Sequence, residues 1–234
     1  MSLILSGLVN HLDARALSAT FVDGRNLILA PVPDQIDPKG WTCTGYDISY
    51  SLSGSPGGKP CFNLVQGNIN QNNFNDFLNY SYMTVMIAAT RTGPSWISMW
   101  TGLYSMRYNN AKAGITMLAI SDNNFDRNFS YWGTYDYITT AATSAMNINT
   151  PYVLSMVGNS DSSGTFYTNA SATGTYLKSK DQGYKGVGGY EAGRGYFVGK
   201  VYEVLVYNRA LTPSEISINS NYLAAKWFNL KASL

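Results

Sequence analysis

The sequence is poor in the side chains on which most enzyme and metal chemistry depends. It contains one histidine, His11, and two cysteines, Cys43 and Cys61. A Ser–His or Cys–His nucleophile pair would therefore have to use His11, and a zinc site with several histidines is excluded. Since His11 lies in an opening segment with strand character, we interpret it as a packed or surface ring rather than as a general base.

Charged residues are also scarce, at 13% of the chain. The 16 basic and 14 acidic residues give a net charge of +2, which is too balanced for electrostatic binding of nucleic acid. With 45% hydrophobic and 14% aromatic residues, the chain is predicted to fold rather than to remain disordered. No internal repeat or linker divides it, so we expect residues 1–234 to form a single domain.

Long apolar runs are absent as well. The opening Leu3-Ile4-Leu5 is too short for the apolar core of a signal peptide, and no basic residue precedes it. No later stretch is apolar over the length that a membrane helix needs. We therefore expect no membrane insertion and no secretion signal, and synthesis in a cytoplasm.

The two cysteines leave two alternatives, one disulfide or two free thiols. If segments 41–52 and 61–66 pair across the intervening turn, Cys61 lies opposite residues 50 to 51, and Cys43 lies far from it. A disulfide requires Cα atoms within about 7 Å of each other. Two free, buried thiols are therefore predicted.

Segments rich in Val, Ile, Thr, Tyr and Trp alternate with clusters of Gly, Asn, Ser and Pro, which is typical of an all-β protein. The predicted strands are 7–12, 41–52, 61–66, 82–91, 96–103, 114–121, 135–141, 152–158, 164–169 and 197–208. Alternation along the last strand places Val201 and Glu203 on one face and Tyr202 on the other. Both faces are partly apolar, as expected of a strand between stacked layers.

The sequence predicts one helix, at the C-terminal end. Thr212 is a good N-cap, and Glu215 stands three residues later, so that the two form a capping box. The apolar residues Ile216, Leu223 and Trp227 recur at near-helical spacing and should pack on the sheet.

The most specific pattern lies at the two ends of the chain. Residues 196–216 read YFVGKVYEVLVYNRALTPSEI, and the chain opens with Gly7-Leu8-Val9 before Leu12-Asp13-Ala14. These segments resemble the closing strand and helix, and the first strand, of concanavalin A-like lectin and glucanase domains of the laminin-G-like type, particularly those in bacteriophage structural proteins. A hairpin often written Tyr-Val-Asn-Gly in such domains appears here as Tyr167-Thr168-Asn169-Ala170.

This resemblance implies an all-β fold, an antiparallel jelly-roll β-sandwich with one C-terminal α-helix. It also implies a structural protein of a phage virion, located on the head or the tail, that docks on other virion proteins or on copies of itself. Side chains such as Tyr, Asn, Ser and Thr favour contacts of this kind. The alternative is a lectin-like module that recognises host-surface or environmental glycans, and the two roles can coexist.

A glucanase of this superfamily would be expected to carry Glu-x-Asp-x-x-Glu on one strand, which places two carboxylates on the same face. The three glutamates, Glu191, Glu203 and Glu215, do not occur in that pattern. Glu215 is assigned to the helix cap, and Glu203 has no acidic neighbour on its strand. The sequence therefore predicts that the protein is not an enzyme and has no catalytic residues, and a glycoside hydrolase is kept only as a distant third alternative.

Asp122, Asn124 and Asp126 place oxygen atoms at alternate positions, as in a calcium-binding loop. Arg127 and Gly133 stand where an EF-hand has Gly and Glu, so an Asx-rich turn is favoured. No cofactor or metal is predicted, and calcium is kept as the weaker alternative.

The best recognition candidate is an aromatic and polar cluster at residues 129–137. Sugars present apolar C–H faces and hydroxyl edges, so a glycan site needs aromatic rings beside amide or carboxylate groups. Tyr131 and Trp132 would supply the rings, and Asp136, Asn124 and Asn128 the polar partners. The alternative is that these aromatic side chains pack inside the sandwich.

Overall fold

A computed structural model describes residues 2–18, 21, 23–24, 26–27, 31–36, 40–71, 82–93, 101–108, 114–120, 129–132, 147–159, 163–177, 188–192 and 197–229. Within these ranges the strands are β1 (Leu8–Asp13), β2 (Pro31–Val32), β3 (Trp41–Ser51), β4 (Cys61–Gln71), β5 (Thr84–Arg91), β6 (Thr101–Tyr108), β7 (Gly114–Ile120), β8 (Phe129–Trp132), β9 (Pro151–Gly158), β10 (Ser163–Thr168), β11 (Ser171–Leu177), β12 (Gly188–Ala192) and β13 (Val198–Tyr207). A short 3-10 helix (Ala14–Leu17) follows β1, and the α-helix α1 (Pro213–Phe228) follows β13.

The predicted all-β sandwich with one C-terminal helix is confirmed for the described residues. The strands pair antiparallel in the order β11-β10-β9-β5-β13-β4-β12-β6-β7-β8, with β3 on the outer side of β4. The predicted strand 135–141 lies outside the described residues. Four strands were missed, namely β2, β8, β11 and β12, because they are very short, glycine-rich or built from Ser, Ala and Thr.

β13 lies at the centre of the sheet. One of its edges pairs with β5 along nearly its whole length, and the other pairs first with β4 and then with β1. The strand is consequently buried on both faces, as its apolar pattern predicts.

The sequence-based alternation fails at one point on this strand. A bulge leaves Tyr202 without a partner on β5, because Val201 pairs with Ala89 and Glu203 with Ala88. Successive strand residues normally point to opposite faces, but the rings of Tyr202 and Trp227 stack at 5.7 Å while Glu203 also bonds to Trp227. The prediction that Tyr202 and Glu203 occupy opposite faces is therefore wrong, since a bulge re-aims the side chains beside it.

The helix begins with the predicted capping box. The backbone N–H of Glu215 donates to Thr212 Oγ1 at 3.3 Å, and Glu215 Oε2 accepts from the backbone N–H of Thr212 at 2.9 Å. Arg209 donates to both oxygens of Glu215, at 2.9 and 2.6 Å. The predicted apolar stripe is confirmed too, because Ile216, Leu223 and Trp227 are fully buried.

Both cysteines are free and buried, which confirms the prediction. Cys61 pairs with Ser51, whereas Cys43 pairs with Ile69 farther along β4. Burial raises the pKa of Cys43 to about 12 and that of Cys61 to about 11, so both thiols stay protonated at neutral pH. No helix among the described residues has the length and apolar character needed to cross a membrane.

The β10–β11 hairpin contains a strained residue. Thr168 pairs with Ser171, so Asn169 and Ala170 form a two-residue turn, and both have positive φ, 48° and 74°. Such turns favour Asn followed by Gly, because glycine has no Cβ to oppose the left-handed conformation. Ala170 thus occupies the second turn position, at which glycine is favoured.

Replacing Ala170 with glycine should stabilise the protein. Relief of left-handed strain gains about 1–2 kcal/mol, which exceeds the roughly 0.5–1 kcal/mol that glycine loses in chain entropy. We expect Ala170→Gly to raise the free energy of unfolding, measured by urea titration, by about 0.5–1 kcal/mol. Ala172→Gly on β11 is the matched control and should lower the free energy of unfolding. An equal decrease in both variants would contradict the assignment of strain to Ala170.

The helix cap should make stability depend on pH in the acid range. Hydrogen bonds from Arg209, and then from Thr212, hold the pKa of Glu215 at about 2, against 4.5 in the unfolded chain. A depressed carboxyl pKa contributes stability that is present above the unfolded value and lost as the pH falls through the folded one. The difference in urea midpoint between the wild type and Glu215→Gln should therefore shrink as the pH falls below about 4.5. A difference that stays constant down to about pH 3 would show that the cap carries no such linkage.

Candidate functional site

A group of charged side chains is buried between the helix and the sheet. We call it the buried ionic cluster: His11 and Asp13 of β1, Glu203 of β13, and Lys226 and Trp227 of α1. β1 and β13 are neighbours, and Asp13 lies directly opposite Glu203. The sequence of β13 alone does not indicate this arrangement, because the acidic neighbour of Glu203 comes from the other end of the chain.

Both carboxylates share one cation. Lys226 Nζ donates to Asp13 Oδ2 at 2.7 Å and to Glu203 Oε2 at 2.6 Å. Trp227 Nε1 donates to the same Glu203 oxygen at 2.6 Å, and the other oxygen, Oε1, lies 2.6 Å from His11 Nε2. Each oxygen of Glu203 thus has a hydrogen-bond partner, although its side chain is fully buried.

A loop residue fixes the position of His11. The backbone N–H of His11 donates to the carboxylate of Asp34 at 3.0 Å, and Trp41 Nε1 donates to Asp34 Oδ2 at 2.7 Å. The His11 side chain is 12% exposed, which agrees with the packed ring expected from the sequence.

Electrostatics explains why the charges tolerate burial. Loss of hydration alone would lower the pKa of Lys226, but the negative charges of Glu203 and Asp13 outweigh this effect and raise it. Lys226 therefore stays charged at its position between the two carboxylates.

The cluster contains a set of side chains that could in principle ligate a metal. One ligand atom each from His11, Asp13 and Glu203 lie within 4.8 Å of one another. However, the ammonium group of Lys226 already bonds to both carboxylates and takes the position that a cation would need. The arrangement is that of an internal ionic contact linking β1, β13 and α1.

A second group of side chains, most of them polar, lies on a part of the sheet that the described residues leave exposed or half-exposed. We call it the open sheet face, and it consists of the outward residues Asp47, Ser49, Asn63, Val65, Val198 and Lys200. Asp47 and Val65 are exposed, and the others are half-buried. This face continues from the side of β13 on which Tyr202 contacts the helix.

The predicted glycan-binding residues are only partly placed by the structure. Tyr131 and Trp132 belong to β8, the last strand in the sheet order, which pairs with β7. The strands β12, β6 and β7 separate β8 from β4, so β8 is not adjacent to the open sheet face in the strand order. The remaining predicted residues, Asn124, Asn128 and Asp136, and the calcium candidates Asp122 and Asp126, lie outside the described residues.

No protein-family model matches the sequence, and no curated protein sequence is significantly similar to it. Several solved structures nevertheless share its fold. Domain 4 of AbnA, a GH43 extracellular arabinanase from Geobacillus stearothermophilus in complex with arabinotriose, is 15% identical, with a TM-score of 0.67 over 91% of this chain and 98% of that domain. Trypanosoma rangeli sialidase is 16% identical, with a TM-score of 0.61 over 96% of this chain and 33% of the sialidase. The binding domain of botulinum neurotoxin DC, in complex with SialylT, is 13% identical, with a TM-score of 0.56 over 94% of this chain and 52% of that one.

These structures confirm the β-sandwich and correct one expectation. The prediction that the chain is not an enzyme is wrong, because its fold is shared by domains of an arabinanase and of sialidases. That prediction used the absence of one carboxylate pattern. Its absence excludes only one arrangement of catalytic groups. The concanavalin A-like assignment and the link to bacteriophage virions gain no support, since none of the three proteins just described is a phage protein.

Breaking the buried ionic cluster should strongly destabilise the protein. Lys226→Met removes the cation and leaves Asp13 and Glu203 as neighbouring buried carboxylates, which typically costs about 3–5 kcal/mol. The free energy of unfolding from urea titration measures this loss. Lys200→Met on the open sheet face is the matched control and should cost far less, and equal losses in the two variants would contradict the role of the cluster.

Proposed function

We propose that the chain is a carbohydrate-binding domain that supplies glycan recognition in a glycoside-active protein. The observation that carries this proposal is its likeness to domain 4 of the arabinanase, which spans 91% of this chain and 98% of that domain, solved with arabinotriose. The toxin binding domain, in complex with SialylT, supports the same class of ligand. Since the chain spans about a third of the sialidase, it corresponds to one part of such a protein.

The composition of the chain agrees with this function. Few charges, together with 18 tyrosines and 5 tryptophans, suit a ligand that offers hydroxyl groups and apolar C–H faces. Aromatic rings contribute large contact area at a small cost in conformational entropy. In this proposal Tyr131 and Trp132 of β8 stack on sugar rings, and Asp136, Asn124 and Asn128 accept or donate hydrogen bonds to hydroxyl groups.

Docking in a phage virion is the competing function. It rests on the sequence pattern at the two ends of the chain, and the solved structures of similar fold do not favour it. The two functions differ in what a change at Trp132 does. A glycan site predicts lost sugar binding, whereas a docking surface predicts lost incorporation into particles and no sugar binding at all.

Glycan arrays of the wild type, followed by calorimetric titration of the best ligand, test the proposal. Loss of a stacked ring should cost about 1–3 kcal/mol, so Trp132→Ala should bind roughly five- to a hundredfold more weakly. Tyr82→Ala is a control at an exposed aromatic residue outside β8. Thermal unfolding of each variant shows whether the fold is intact.

Absence of any glycan signal from the wild type at high protein concentration would overturn the carbohydrate-binding function. If the wild type binds glycans and a folded Trp132→Ala variant binds them with unchanged affinity, the carbohydrate-binding function stands. In that case β8 is not part of the site.

A further inference from the structure

We propose that the open sheet face binds a neutral glycan through hydrogen bonds to neighbouring hydroxyl groups. This inference rests on the proposed carbohydrate-binding function, and it names a surface and a class of sugar. Its residues come from three adjacent strands, β3, β4 and β13, and none of them belongs to the buried ionic cluster or to β8.

The direction of these side chains is fixed by the core. Along β3 and β4 they alternate with Ile48, Tyr50, Phe62 and Leu64, all of which are fully buried. A shift of the strand pairing by one residue would turn those apolar side chains to solvent. The polar side chains are therefore held on the outer side of the sheet. Groups on paired strands are positioned more rigidly than groups on loops.

The register arranges the face in two short rows. Ser49, Asn63 and Lys200 are consecutive cross-strand partners, and so are Asp47, Val65 and Val198. With strands about 4.8 Å apart and alternate residues about 6.8 Å apart, the two rows cover about 10 Å by 7 Å. This area suits one or two sugar rings lying flat on the sheet.

The polar groups match the chemistry of adjacent hydroxyls. A sugar hydroxyl both donates and accepts, as do the Asn63 amide and the Ser49 hydroxyl, which lie 3.4 Å apart. Asp47 adds an acceptor, since it is exposed and none of the described residues bonds to its carboxylate. Val65 is 38% exposed between these groups and offers an apolar surface for a C–H face.

The charges favour a neutral sugar. The ammonium group of Lys200 donates to the carbonyl of Gly54 at 2.8 Å, so it is already hydrogen-bonded. Asp47 contributes one negative charge to the same face, which leaves no excess of positive charge for a carboxylate-bearing sugar. Sialylated glycans should therefore bind less well than neutral ones.

A turn closes one side of the face. The contact of Lys200 with Gly54 holds the turn at residues 53–59 beside it, and the backbone N–H of Gly57 donates to the carbonyl of Trp227 at 3.1 Å. Lys59 Nζ also bonds to the carbonyl of Lys226 at the end of α1. The face is thus bounded by a turn that the helix supports.

The test measures binding of neutral arabino- and gluco-oligosaccharides and of sialyllactose to the wild type and to variants. Asn63→Ala and Asp47→Ala each remove one hydrogen-bonding group, so each should weaken binding of the neutral sugar about three- to tenfold. Asn159→Ala is the matched control, because its side chain lies between β9 and β10 and bonds only to Thr165 among the described residues. Thermal unfolding verifies that all variants are folded.

The outcomes separate this inference from the proposed function. Weaker neutral-sugar binding in Asn63→Ala and Asp47→Ala, with Asn159→Ala unchanged, supports the open sheet face. If Asn63→Ala and Asp47→Ala bind sugar as well as the wild type does, the inference about the open sheet face is overturned. The proposed carbohydrate-binding function then still stands. A clear preference for sialyllactose also overturns it, and no binding of any glycan overturns both.

Discussion

The ammonium group of Lys226 is the contact on which the rest of the structure depends. It lies between Asp13 of the first strand and Glu203 of the last one, and it joins both to the C-terminal helix. Three parts of the chain that are far apart in sequence must therefore fold together before the charges are balanced. Because this contact holds the helix on the sheet, it also supports the turn at residues 53–59 that the helix end touches.

The bulge at Tyr202 determines which part of β13 the helix covers. It turns Tyr202 and Glu203 toward the same ring, Trp227, so that the helix covers the second half of β13. The first half, with Val198 and Lys200, remains outside the helix on the same side of the sheet. One irregularity thereby divides one side of the sheet into a helix-covered part and an open part, and our glycan-binding proposal concerns the open part.

Local patterns in the sequence predicted the local structure well. The capping box of Thr212 and Glu215 and the apolar helical stripe depend on neighbours a few residues away, and the structure confirms them. The buried ionic cluster could not be predicted, since His11 and Glu203 are 192 residues apart and meet only through strand pairing. Likewise, nothing in the composition of β13 signals its bulge, and the absence of one carboxylate pattern led to the incorrect exclusion of enzymes.

We propose that the sheet surface of this domain binds carbohydrate. An NMR titration of the isotope-labelled chain with neutral oligosaccharides tests it most directly, because amide shifts report contact residue by residue without any substitution. We expect saturable shifts concentrated at Asp47, Asn63 and Val65 of β3 and β4 and absent from the β10–β11 hairpin. Spectra that stay unchanged with every sugar, or shifts spread evenly over the chain, would contradict it.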